Sequence, residues 1–153
     1  MRKCLLLISL TLLTLVGWAQ TPLLPIEGKC HYQVTIAARG TEITGVCIIN
    51  SDEEGCKGVL VNEFGIHVMD FTVSPDRRKV KLLNVMPFMN RWYIKRVVKG
   101  DLKFLFGATQ EKMQKGKRTI TIEDNGTVTL VNSRYGLRYS FLEMDNRDDE
   151  TSK

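Results

Sequence analysis

From Gly58 to Val73 the chain reads GVLVNEFGIHVMDFTV, two short apolar runs flanking Asn62-Glu63-Phe64-Gly65. Apolar side chains occupy both phases of each run, whereas a strand with one wet face needs them only at alternate positions. The pattern predicts two strands, about 57–64 and 66–73, with core on one side and further apolar material on the other. The flanking sequence extends this into a meander. HYQVTIAA (31–38) alternates, Arg39-Gly40-Thr41 supplies a turn, and 43–50 returns as a strand. Asp52-Glu53-Glu54-Gly55 is a second polar turn. Ser74-Pro75-Asp76 stops the pair, because proline lacks the donor a ladder needs, and 79–85 forms a fifth strand.

The period then changes. In NRWYIKRVVKGDLKFLF (90–106) a helical projection gathers Tyr93, Ile94, Val97, Val98, Leu102, Phe104 and Leu105 on one arc. Arg91, Lys95, Arg96, Lys99 and Lys103 fall on the other. Asn90 is a favourable N-cap and Gly107 a suitable end; Gly100 costs about 1 kcal/mol against alanine in a helix interior. Asp101 projects into the apolar arc. Either it is a buried polar anchor that finds a donor, or the helix breaks at Gly100 and Asp101 caps a second turn. Beyond a polar loop at 110–117, strands are expected at 118–123, 127–132 and 137–144, with Asp124-Asn125-Gly126 as a hairpin turn and a further turn at Tyr135-Gly136. The expected fold is α+β: a strongly curved, half-barrel-like antiparallel sheet of about eight strands covered by one main amphipathic helix.

At 153 residues there is room for one core. Residues 1–19 read as a signal peptide, with Arg2 and Lys3 before the apolar run Leu5–Val16, and with Gly17 and Ala19 three residues and one residue before a cut at Gln20. The alternative is an uncleaved anchor helix. Residues 20–144 form the domain, and 145–153, charged and without an apolar residue, read as a disordered tail. Cys4 precedes the apolar run instead of closing it, so no lipid anchor is expected. Cys30, Cys47 and Cys56 remain after cleavage; they allow one cross-strand disulfide with one thiol left over, or three small buried hydrophobes.

Removing Arg2 and Lys3 lowers the formal net charge from +5 to +3, too little to argue for nucleic acid. The basic residues are nonetheless concentrated: Arg77 to Arg118 holds thirteen Lys or Arg against Asp101 and Glu111. With Trp92 beside Arg91, Lys95 and Lys99, the polar face of the helix suits contact with an anionic membrane surface or a partner protein; a plain solvated face is the alternative. No catalytic signature is present. His67 and Asp70, three apart in a strand, should point to opposite faces, and Cys30 and His31 are adjacent. Neither a zinc-type spacing nor a phosphate-binding glycine loop occurs, so no metal, cofactor or enzymatic activity is expected.

With its leader, Gly28-Lys29 start, strand meander and VLVNEFGIHVMDFTV before a single helix, the chain resembles the periplasmic lipoprotein carrier and outer-membrane lipoprotein receptor (the LolA/LolB type) over roughly 27–106. The resemblance implies an open half-barrel lidded by helix, whose apolar cavity holds acyl chains, in an exported periplasmic protein of a Gram-negative cell, possible outer-membrane association included. It makes Leu60, Phe64, Met69, Phe71, Leu83 and Val85 cavity candidates, with a lipid or acyl chain as ligand. The alternative is a secreted interaction or assembly module with a packed core and no small ligand. Expressed with its own leader, the protein should be recovered from the periplasm with Gln20 as its first residue by N-terminal sequencing. Full-length mass in the inner membrane would contradict the leader assignment.

Overall fold

The computed structural model describes residues 21–24 and 26–145; the expected leader and residues 146–153 of the tail lie outside the described residues. Nine strands form one antiparallel sheet: β1 (Lys29–Ala38), β2 (Thr41–Asp52), β3 (Gly55–Asn62), β4 (His67–Val73), β5 (Val80–Leu83), β6 (Gln114–Lys115), β7 (Arg118–Ile122), β8 (Val128–Asn132) and β9 (Leu137–Met144). Their order, β5-β4-β3-β2-β1-β9-β8-β7-β6, is two runs of consecutive hairpins joined where β1 pairs β9. The sheet is not closed. Its edges are short, four residues in β5 and two in β6, which blunts them against pairing with other chains. The β6 pair falls in the stretch expected to be a loop.

One face of the sheet carries the core. Across it, Ile120, Leu130, Tyr139, Ile36 and Ile43 stand in one ladder row. Cys30, Ile49, Gly58, Phe71 and Leu82 stand in another. Gly58 has a specific use there: the Phe71 ring lies over it, and a Cβ would overlap that ring. Lowered onto Gly58, Phe71 meets Phe106 with ring centroids 5.5 Å apart. On the opposite face Val46, Ile48, Val59 and Val61 are only partly covered, so the second apolar phase of these strands is left near solvent.

Helix α1 (Trp92–Gly107) runs unbroken through Gly100, which excludes Asp101 as a cap of a second helix. It starts later than expected. Arg91 holds the cap position without a side-chain hydrogen bond, because Asn90 is tied into the preceding turn, its N–H donating to Pro87 O at 3.2 Å. Val98, Asp101, Leu102, Leu105 and Phe106 are buried against the sheet. The C-terminal end is clasped from two sides. Leu23 N–H donates to Ala108 O at 3.1 Å, and Arg77, in the β4–β5 turn, donates to Leu24 O at 2.8 Å and Phe106 O at 3.5 Å. Leu23, Leu24 and Ile26 are therefore buried, and the proline-bearing lead-in is part of the core.

The three cysteines are free and buried. Register sets Cys30 opposite Ile49, Cys47 between Tyr32 and Leu60, and Cys56 between Ser51 and Val73, so no two face each other. Burial pushes the Cys47 thiol up to about 12. Since folding raises this pKa, its contribution to stability is intact below the ordinary value of 9.0 and is lost as the pH climbs toward about 12. The processed native protein should resist maleimide at pH 8, whereas the denatured chain should take up three equivalents, counted by mass spectrometry.

Candidate functional site

Helix α1 covers only part of the core face. Its C-terminal half is seated on the sheet. Its first two turns leave apolar side chains without full cover: Ile94 and Val97 are half-buried and Tyr93 is 53% exposed. Beneath them, toward the hairpin ends of the core face, Ile36 and Ile43 in one ladder row and Leu137 two residues from it are also half-buried. Between the two lies a cavity of about 1260 Å³, partly open to solvent. Phe88 and Trp92, 56% and 72% exposed, stand at its margin, with Trp92 edge-on to Tyr93 at 6.0 Å.

The wall is anchored by one buried carboxylate. Asp101 is fully buried and accepts three hydrogen bonds. Arg118 Nε of β7 donates at 2.5 Å and Asn132 Nδ2 of β8 at 2.8 Å, both to Oδ1, while Tyr139 Oη of β9 donates to Oδ2 at 3.0 Å. Arg118, Asn132 and Tyr139 also line the cavity. A carboxylate this deep is stable only with such donors. Burial, followed by the Asp101 charge, pushes the Tyr139 phenol well above its ordinary range, so it stays a donor. Gly100 completes the arrangement: a Cβ there would sit 2.9 Å from Arg118 Nη2, so the glycine leaves room for the guanidinium beside the helix.

The mouth is cationic. Arg39, Arg96, Lys115, Lys117, Arg118 and Arg134 line the cavity, and no lining residue is acidic. The expected cavity residues are elsewhere. Leu60, Met69 and Phe71 are buried in the core beside it, Val85 packs against that core, Leu83 is 46% exposed beyond it, and Phe64 is 78% exposed in the β3–β4 turn. None of the six lines the cavity. The strand phase was legible, but phase does not tell where along a strand the helix stops covering it. Of the expected surface contacts, Trp92 belongs to the mouth; Arg91 and Lys99 are exposed and Lys95 half-buried, outside the lining. Two sequence signals could have found the site: the apolar arc at the start of the helix and the arginine in the Arg39-Gly40 turn, which in the sequence read only as a helix and a turn.

His67 and Asp70 require a correction. They do share a face, with His67 Nε2 2.6 Å from Asp70 Oδ1. Register slips between Leu60 and Val61, so Val68 is an extra residue in β4 and the alternation is reset. Burial opposes the charged Asp70, but hydrogen bonds from His67 and from Asn84 Nδ2 (2.6 Å) outweigh it and hold its pKa below the usual range. Both carboxylate oxygens are thus engaged with His67 and Asn84, which ties β4 to the end of β5. Among the described residues no group of three or more His, Cys, Asp or Glu is placed to hold a metal ion.

Neither protein-family models nor curated proteins give a match to this chain.

Removing the buried acceptor should be costly: Asp101→Ala is expected to lower stability by about 3–5 kcal/mol in denaturant melts, because three donors lose their partner. Gly100 gives a finer measurement. Gly100→Ala should stabilise an Arg118→Ala background by about 1 kcal/mol through helix propensity, and give no such gain in the wild type, where the new Cβ displaces the guanidinium.

Proposed function

We propose that this chain is an exported, non-enzymatic binding protein that takes an acyl chain or comparably apolar ligand into the cavity between α1 and the sheet. The observation that carries this reading is the uncovered half of the apolar surface. Tyr93, Ile94 and Val97 face Ile36, Ile43 and Leu137 across about 1260 Å³ that the described residues do not fill. That volume exceeds the roughly 300–1,000 Å³ of ordinary small-ligand pockets and suits a long or branched ligand.

The half-barrel of the lipoprotein carrier type belongs to the same proposal, and helix geometry supports it. Asp101 and Phe106 are five residues apart, about 7.5 Å along a helix axis. One bonds Asn132 on β8 and the other stacks on Phe71 of β4, strands separated by β3, β2, β1 and β9. In a flat sheet those strands would lie about 24 Å apart. A sheet curled around the helix brings both within reach. The leader-like start supports an exported protein, and the resemblance to the carrier favours the periplasm as its compartment. Phe88 and Trp92 beside basic residues suit contact with an anionic membrane from which a ligand is taken.

The half-covered Val46, Ile48, Val59 and Val61 favour a second reading, an assembly module that uses its outer face. The two separate in one titration. A fluorescent fatty acid should bind the folded wild type with Kd below about 0.1 mM, near −5.5 kcal/mol. Ile43→Asp should abolish binding while circular dichroism stays unchanged, because a charge on the cavity wall is desolvated without a partner. No binding by folded wild type overturns the carrier reading.

A further inference from the structure

The cations at the mouth are gathered by register, not scattered. Ala38 stands opposite Leu137, Leu137 opposite Asn132, and Asn132 opposite Arg118. The turns after β1, after β8 and before β7 therefore open at the same end of the sheet. They carry Arg39, Arg134 and Lys117, with Lys115 beside them at the end of β6. Ser133 N–H donates to Lys117 O at 2.9 Å, joining two of these turns, and the Arg39 stem lies against Gly136, its Cγ 3.9 Å from where a Cβ there would sit. Arg118 has its carboxylate in Asp101; the other lining cations are offered no acid by the rest of the lining. Like charges held together at an apolar opening repel one another, and an anion seated among them relieves that repulsion.

Arg39 adds an independent sign. Its φ is 45° and that of Gly40 is 87°, so both central residues of this two-residue hairpin turn are left-handed. Asparagine or glycine takes the first of these positions readily; arginine is held there against its backbone preference. Strain of this kind persists where a side chain has a use, as at Arg77, whose φ is 56° and which clasps the helix end.

We infer that the ligand is an anionic amphiphile whose carboxylate or phosphate headgroup sits among Arg39, Arg134 and Lys117 while its chain enters between Val97 and Ile43. This rests on the proposed acyl-binding function and adds the headgroup to it. The test displaces a neutral fluorescent probe with four competitors: hexadecanoate, a lysophosphatidate of equal chain length, the matching monoacylglycerol and inorganic phosphate. The anionic lipids should displace the probe at concentrations at least tenfold below the monoacylglycerol, with the gap closing in 0.5 M salt. Whichever of hexadecanoate and lysophosphatidate is stronger names the headgroup.

Arg39→Asn should raise the melting midpoint, since asparagine accepts the turn, and together with Arg134→Gln should shrink the anionic preference to less than about threefold. Equal displacement by neutral and anionic lipids overturns the headgroup inference and leaves acyl binding standing. So does an undiminished preference in the double variant, or displacement by phosphate alone. No probe binding overturns both.

Discussion

A carboxylate with no solvent contact holds this molecule together. Asp101 comes from the helix, and its donors come from β7, β8 and β9, the strands that follow the helix in sequence. The strands that precede it are held differently, by Phe106 stacked on Phe71 and by Arg77 on the helix C-terminus. One helix is thus held to one half of the sheet by a buried carboxylate, and to the other by an aromatic contact and an arginine at its C-terminal end. The polar contacts are directional and fix its rotation; the apolar ones tolerate small slides. Rotation about the helix axis decides whether Tyr93, Ile94 and Val97 face the sheet. The cavity therefore depends on Asp101 even though Asp101 does not line it.

Much of the fold was legible in the sequence. Alternation and turn residues placed the hairpins near their observed ends, because local registers follow from turn chemistry and from which face is apolar. The helix followed from its arc, and the position of Asp101 within that arc correctly implied a need for donors. What escaped was non-local. Pairing of β1 with β9 has no local signature, nor does burial of the lead-in at Leu23 and Leu24, which depends on where the helix ends. The meeting of His67 and Asp70 escaped for another reason: an added residue in β4 reverses the phase that alternation assumes. The candidate site was sought in the most apolar strands, Gly58–Val73, but there one apolar phase is used up in the packed core and the other is left near solvent on the opposite face. An opening is found where apolar residues run out of cover, a property of two elements jointly.

Two glycines show how much of the packing rests on missing atoms. Gly58 lets an aromatic ring approach the sheet backbone, and Gly100 lets a guanidinium approach the helix backbone. Both sit inside regular elements, where glycine costs about 1 kcal/mol or less against alanine. At each, the local cost is offset by a contact that ties helix to sheet, one on each half of the molecule.

The seam between β1 and β9 bears on the order in which the chain assembles. Val34 and Phe141 are partners although more than a hundred residues separate them. Each run of hairpins can form from near neighbours, but the seam closes only when the last strand arrives. Such distant pairings slow folding, because the entropy of closing the loop is lost before any contact returns it. Until then Val34, Ile36, Phe141 and Tyr139 have no cover from across the seam, and two open strand edges stand in the middle of the future sheet. A chain built this way keeps both halves of its sheet incomplete until β9 has been made and has paired with β1.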